Sequence, residues 1–466
     1  MSTDGKREQI AMVVTIVVIE FISGFTQGFY EPLIPKFGEA MGVDASGLQL
    51  FNVIPTAIAA LFVPVLTRLG DIKGYRKLLR LEIPMVFVAT VIIWLGALLN
   101  SWPLVLVGRV LNGPIAVWLP LHIALVHSRS QGNSATTAVS AIVATMTLGT
   151  VVGTACSGFL FNALGNLQTT VIIIPVLQFI AVRLVIFVMP EFVSGADSHI
   201  DVRGFVLLGL IMLLAIFGFV EVVEGGMESA IGAALIVAAL VVGVFWFRYQ
   251  KRIEHPAIDV RIMFSRKLFP LYIGAICYGA VFYGFMSPTA TFLAADPLTN
   301  GYGFGFDPSK ISIAQTSILL ATVVAALIVP VLVKTLKPKL ALMMGFILAA
   351  FAFAQWAIPG PSMINLIIFI VLSGLGLGVV SAAIPVIIPD RATKDTKGIA
   401  TGLFNSSQTL GGALGGGLFI SLLKVGATSS GVITSVGYTT VWATCAGILL
   451  LGLAIVAVFL TKNDAD

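Results

Sequence analysis

Charge is what this sequence has least of. Only 11% of its 466 residues are Asp, Glu, Lys or Arg, while 58% are hydrophobic; a soluble domain carries roughly 25% charge. A water-soluble fold is thereby excluded, because too little polar surface would be left to face water. Cysteine is scarce too: Cys156, Cys277 and Cys445 each lie in an apolar run, without the spacing of a disulfide framework or a zinc site. There are four histidines and no metal-binding pattern among them. A G-x-S-x-G elbow and a phosphate loop after a strand are both lacking, so no enzyme, no metal and no cofactor is expected. Nor is there a polar stretch long enough for a nucleotide-hydrolysing domain, which argues against an ATP-driven pump unless a partner chain supplies the motor. The 27 basic residues outnumber the 22 acidic ones. They sit in short loops between apolar runs, which points to a membrane and not to nucleic acid.

What is present is a train of apolar runs. A hydrocarbon core of about 30 Å takes around twenty helical residues. Fourteen runs of that order are predicted as helices: Ile10–Leu33, Leu48–Leu66, Ile83–Leu99, Pro103–Val126, Ala138–Leu160, Val171–Met189, Gly204–Val223, Ala230–Phe247, Leu268–Leu293, Ile311–Val333, Leu340–Ile358, Ile364–Ile388, Ile399–Leu423 and Val441–Leu460. The first is too long for a signal-peptide core and is read as a retained span. With an even number, both termini share one side. Placing them in the cytoplasm leaves Lys36, Lys310 and Lys424 outside and Arg109 and Arg183 within spans; every other Lys and Arg falls inside. The expectation is a multi-pass protein of the cell (inner) membrane, working as a monomer.

Three short matches recur at one offset of eight helices. Pro64-Val65-Leu66 pairs with Pro330-Val331-Leu332. Thr147-Leu148-Gly149 with Gly153 pairs with Thr409-Leu410-Gly411 with Gly415. Gly113 and Pro120 pair with Gly378 and Pro385. Two six-helix bundles with two helices inserted between them give that offset, and such repeats mark transporters. The predicted division is residues 1–190, an inserted pair and linker over 191–267, and a second bundle over 268–466.

The loop after the second run reads TRLGDIKGYRK, Thr67 to Lys77. Arg68, Asp71, Gly74 and Arg76 there could form a switch, an acid among bases at a tight turn; a plain positive-inside loop explains the same charges. The sequence here resembles the major facilitator superfamily, whose loop at this place is G-x-L-(A/G)-D-x-x-G-(R/K)-(R/K). Arg109 and Gly113 match that family's fourth-helix R-x-x-x-G signature. Gly149, Gly153 and Gly158 follow the spacing of its antiporter motif, with Thr154 and Ser157 where Pro and Gly are usual. The segments Arg252–Phe269 and Gly398–Gly415 are similar to its fourteen-helix drug:proton antiporter branch. The resemblance implies a transporter fold and proton-coupled export. One position departs: the branch's helix-one Asp falls here on Thr26.

Charges inside a membrane are costly and raise a functional question by default. Glu20, Gly24, Gln27 and Glu31 share one helical face of the first run, a stripe expected to line water. Arg109, Asn112, Gly113 and Ala116 make a comparable face on the fourth. Counting 1.5 Å per residue, Glu31 and Arg109 both fall in the outer third and are expected to approach each other. Glu20 lies nearer mid-depth with no partner apparent in the sequence, which makes it the better proton carrier. The alternative is a structural ion pair and a rim carboxylate. Tyr30 and Trp118 could stack on a greasy ligand, and Asn405 and Gln408 could form a second wall of the site; bundle packing explains the aromatics equally well. His122 is read as a packed or interfacial residue, Glu221 and Glu224 as rim charges, and Arg183 as a cavity-facing or snorkelling one. The resulting expectation is an all-α, fourteen-helix transporter of the major-facilitator type. Its partners would be a small-molecule substrate of the amphipathic or cationic drug-like kind, together with protons and the lipid bilayer. A porter for one metabolite or lipid is the alternative.

Overall fold

In lipid a backbone can satisfy its polar groups within a single segment only as a helix, and the apolar runs obey. The computed structural model describes residues 3–129, 133–189, 201–224, 230–254, 256, 258–358, 360, 362–392, 397–428 and 432–460. All regular structure among them is helical. The first elements are α1 (Thr3–Phe29), a 3-10 turn over Glu31–Leu33, α2 (Ile34–Met41), α3 (Ala45–Lys73) and α4 (Tyr75–Leu98). Next, α5 (Trp102–Asn112) and α6 (Trp118–Arg129) are joined by a 3-10 stretch over Gly113–Val117. They are followed by α7 (Asn133–Leu164), α8 (Leu167–Val171) and α9 (Ile173–Phe187). The chain continues with α10 (Val202–Glu224), α11 (Ala230–Gln250), α12 (Val260–Met263), α13 (Phe269–Gly284), α14 (Met286–Ala294) and α15 (Pro297–Asn300). It closes with α16 (Pro308–Leu336), α17 (Pro338–Trp356), α18 (Met363–Arg391), α19 (Lys397–Leu423) and α20 (Ser435–Phe459).

Twelve helical spans among the described residues, not the expected fourteen, are long and apolar enough to cross a membrane. The expected run Gly204–Val223 lies in α10, whose unbroken stretch of described side chains, Val202–Ala215, is apolar but shorter than a span. The run Ile399–Leu423 lies in α19, whose 27 residues include Asn405, Ser406, Ser407, Gln408 and Thr409 and many glycines. The helix forms there, but its polar centre lowers its apolarity.

The chain falls into two compact units. The first comprises Met1–Val43, Leu61–Ile200 and Asp307–Ser312; the second comprises Asp44–Ala60, Asp201–Phe306 and Ile313–Asp466. Within the first, α1 packs along α7, and α4 along α5 and α9. Within the second, α13 packs along α19, α17 along α18 and α20, and α10 along α11 and α19.

The expected loop Thr67–Lys77 is mostly helix. α3 runs to Lys73 and α4 begins at Tyr75, so the turn is Gly74 alone, at φ 93°. That left-handed backbone suits glycine because a Cβ would be strained there. The side chains of Arg68 and Asp71 lie outside the described residues.

Candidate functional site

Close approach of α1 and α7 is written in glycine on both helices. A Cβ on Gly149 would strike the carbonyl oxygen of Phe21, and one on Gly153 that of Phe25. Reciprocally, a Cβ on Gly24 would strike the carbonyl oxygen of Met146, and one on Gly28 that of Thr150. Small residues let backbones meet this way in membranes, where no hydrophobic effect drives helices together. Gly158 instead lies against Pro308, and its N–H donates to Ser312 Oγ at 2.9 Å. Pro32 has no N–H to offer Gly28, four residues back. Thr154 Oγ1 donates to that carbonyl instead, at 3.1 Å.

The second unit repeats the device. A Cβ on Gly411 would strike the carbonyl of Ile276, one on Gly279 that of Gln408, and Gly415 lies against Ala280. Pro288 leaves the Gly284 carbonyl without its helical donor, and Gln49 Nε2 donates to it at 2.8 Å. These contacts align the two units residue by residue: Phe21 and Phe25 of α1 correspond to Ile276 and Ala280 of α13.

On this scaffold the first unit holds the ionisable groups. Glu20 Oε1 and His122 Nδ1 are 2.6 Å apart, with both side chains 0% exposed. Glu20 therefore has a partner, against the expectation that it stands alone, and that partner is His122, a packed residue as expected. Glu20 Oε2 and His122 Nε2 find no hydrogen-bond partner among the described residues. Farther along the same helices, Arg109 is 8% exposed. Its guanidinium lies 5.6 Å from the ring centre of Tyr30, and its Nη1 donates to Asn112 Oδ1 at 3.2 Å. Glu31 is half-buried and within electrostatic reach of Arg109. Trp118, one turn before His122, is fully buried.

The polar stripe of the first run is only partly open. Glu20 is enclosed and Gly24 is pressed against α7, so the water-lined face expected there is interrupted by helix packing. Gln27 is half-buried, its amide turned back to Ser23 Oγ at 3.2 Å. At Thr26, where the resemblance would place an acid, the hydroxyl donates to Ile22 O and accepts from Gln178 Nε2, each at 2.8 Å. A further buried acid is Glu82 on α4, with neither carboxylate oxygen hydrogen-bonded among the described residues. It directly precedes Ile83, where the third predicted run begins. Arg183 is exposed and lies over the Phe187 ring at 4.4 Å. Glu221 is half-buried; the side chain of Glu224 lies outside the described residues.

In the second unit α13 and α19 carry aromatic and amide side chains instead. Tyr278 stacks on Phe282 with ring centres 5.2 Å apart, and Phe282 meets Tyr283 edge-on at 5.4 Å. Gln408 Nε2 donates to the Tyr283 hydroxyl at 3.1 Å. Tyr278 is hydrogen-bonded to Ser381, a residue that sequence reasoning passed over. Asn405 is exposed.

The model of the Major Facilitator Superfamily matches residues 16–416 and 304–466. The chain belongs to that superfamily. It is thus a multi-pass membrane protein of a transporter family and not an enzyme. Among curated proteins it is 21% identical over 318 residues to the uridine/deoxyuridine transporter of Lactococcus lactis. That match covers 67% of this chain and 65% of the relative's length. It is 25% identical over 411 residues to the probable actinorhodin transporter of Streptomyces coelicolor, covering 85% of this chain and 70% of the relative. Among solved structures, a variant of the nucleoside transporter NupG superposes with a TM-score of 0.68 at 14% identity. That superposition covers 97% of this chain and 100% of the other.

Proposed function

We propose that this superfamily member is a proton-coupled secondary transporter that exports amphipathic, drug-like organic molecules across the cell membrane by alternating access. The observation that carries this reading is an asymmetry of charge. Glu20, His122, Arg109 and Glu31 are gathered in helices of the first unit, while the matching helices of the second unit are uncharged at depth. Buried charge is expensive in a membrane and is kept where an ion or a charged ligand must be handled. The likeness to the drug:proton antiporter branch and to the probable actinorhodin transporter supports export.

In this reading Tyr30, Glu31, Arg109, Asn112, Gln27 and Trp118 are substrate-binding residues of the first unit, and Gln408 and Asn405 are substrate-binding residues of the second. The loop residues Arg68, Asp71, Gly74 and Arg76 act as a conformational latch. Gly149, Gly153 and Gly158 hold a helix contact that survives the motion. The functional halves are residues 1–190 and 268–466, with 191–267 inserted. α10 and α19 count as membrane crossings, since 23 and 27 helical residues exceed the roughly twenty required. Both termini are cytoplasmic and the working unit is a monomer.

A second reading is a porter for one metabolite of the nucleoside type. The uncharged aromatic and amide wall of Tyr278, Phe282, Tyr283 and Gln408 favours a neutral ring compound, and the uridine/deoxyuridine relative points the same way. Reconstituted protein in proteoliposomes, under an imposed pH gradient, separates the two. Gradient-driven extrusion of ethidium supports the export reading, and gradient-driven movement of uridine alone supports the second. Movement of either that ignores the gradient contradicts proton coupling.

A further inference from the structure

We infer that Glu20 and His122 form a single proton-binding unit, the site that loads and releases the coupling proton. The inference rests on the proton-coupled reading above and adds the residue pair that carries it.

Three observations lead there. First, the pair is sealed: both side chains are 0% exposed and joined at 2.6 Å. Second, the outer atom of each group, Glu20 Oε2 and His122 Nε2, is buried and has no hydrogen-bond partner among the described residues. A pair kept for structure alone would have its remaining polar atoms satisfied, because a buried orphan gives up its hydration with nothing in return. Third, the molecule contains its own comparison. The glycine contacts match Glu20 to Ala275, and the Gly113 and Pro120 to Gly378 and Pro385 correspondence matches His122 to Ile387. Ala275 and Ile387 are both buried, on α13 and α18, which pack together. The same helix geometry is therefore built without a polar pair, so packing alone does not call for one.

The surroundings carry little competing charge. α7 has no charged residue, and its one titratable group is Cys156. α9 has only Arg183, exposed and over Phe187. α4 brings Arg76, Lys77 and Arg80 near its start and the buried Glu82. Glu31 and Arg109 lie more than two turns along their helices from the pair. The side chains of α1 up to Ile10, and of His127 and Arg129 on α6, lie outside the described residues.

The proton count is simple. With Glu20 ionised and His122 neutral, Nδ1–H donates to Oε1 and the pair carries net charge −1. One proton taken from water on one face adds at Nε2 and gives net charge 0, as imidazolium beside carboxylate or, after transfer along the short bond, as neutral imidazole beside carboxylic acid. Release to the other face restores the first state.

Two measurements test this. Infrared titration of reconstituted protein follows the carboxylic acid C=O stretch without any substrate. In the wild type and in Glu82→Gln a titrating band is expected from the pair. In the Glu82→Gln background it should vanish on adding Glu20→Gln, and on adding His122→Gln its midpoint should move by at least about tenfold in proton concentration. A band that survives Glu20→Gln in that background, or an unmoved midpoint with His122→Gln, overturns the pair. Should Glu20→Gln fail to fold, His122→Gln alone decides. The second measurement uses ethidium and uridine as probes in proteoliposomes. Gradient-driven movement should fall at least about tenfold in both variants, with probe exchange at equal pH kept within about twofold. A gradient-driven wild type with unaffected variants overturns the pair and leaves proton coupling standing. A gradient-indifferent wild type overturns the coupling reading and the pair's role with it.

Discussion

The first unit's α1 and α7 and the second unit's α13 and α19 are built alike and furnished differently. Both pairs interlock through glycines that meet the partner's carbonyls, and in both a proline leaves one carbonyl to be capped from another helix. Yet Glu20 answers to Ala275, His122 to Ile387, Arg109 to Gly374 and Tyr30 to Phe285. The lesson is that the shared features make the bundle and the unshared ones make the chemistry. Charge at depth, found on one side of the match only, is the part that packing does not explain.

The glycines should give the largest effect. Gly153→Leu and its counterpart Gly415→Leu each push a side chain into a backbone carbonyl. Each should destabilise by about 3 kcal/mol or more, seen as a large fall in Tm of the detergent-solubilised protein. Equal losses at the two sites would confirm that the interlocks are equivalent; a tolerated leucine at either would break the comparison.

Next come the charges. His122→Leu leaves the Glu20 carboxyl buried without its partner and should cost about 3 kcal/mol. Glu20→Ala with His122→Ile installs the second unit's residues together and should recover most of that loss. A double variant less stable than the single one would show that the two units are not interchangeable at this position.

The carbonyl caps are smaller. Thr154→Val and Gln49→Leu each strip a hydrogen bond from a proline-orphaned carbonyl, and each should cost about 1–2 kcal/mol by Tm. A large difference between them would mean that the two kinks are stabilised differently. Arg183→Gln, on an exposed side chain, should change stability by less than about 0.5 kcal/mol.

Much of this was legible beforehand. Apolar run length placed nearly every helix, and the repeated Thr-Leu-Gly matched two segments that proved to have the same packing role. The glycine spacing at Gly149 and Gly153 was visible, though what it pressed against was not. Two things were not legible. The polar middle of α19 lowers its apolarity below that of a span, and twelve spans are found among the described residues where fourteen were expected. The Glu20–His122 contact joins residues 102 positions apart, and a helical wheel cannot bring separate helices into register. The wheel on the fourth run was also misled by Gly113–Val117. A 3-10 stretch turns about 120° per residue against about 100° in an α-helix, so five such residues rotate His122 well away from its expected bearing. Glu82 was missed because a count that begins a span at Ile83 treats its neighbour as rim.

The central claim is that the Glu20–His122 pair serves coupling and not packing. It is tested most directly by the double replacement Glu20→Ala with His122→Ile, assayed in proteoliposomes under a pH gradient with ethidium and uridine as probes. The account predicts folded protein with near wild-type Tm, probe exchange retained at equal pH, and gradient-driven movement reduced at least about tenfold. Gradient-driven movement at the wild-type rate in that variant would contradict it.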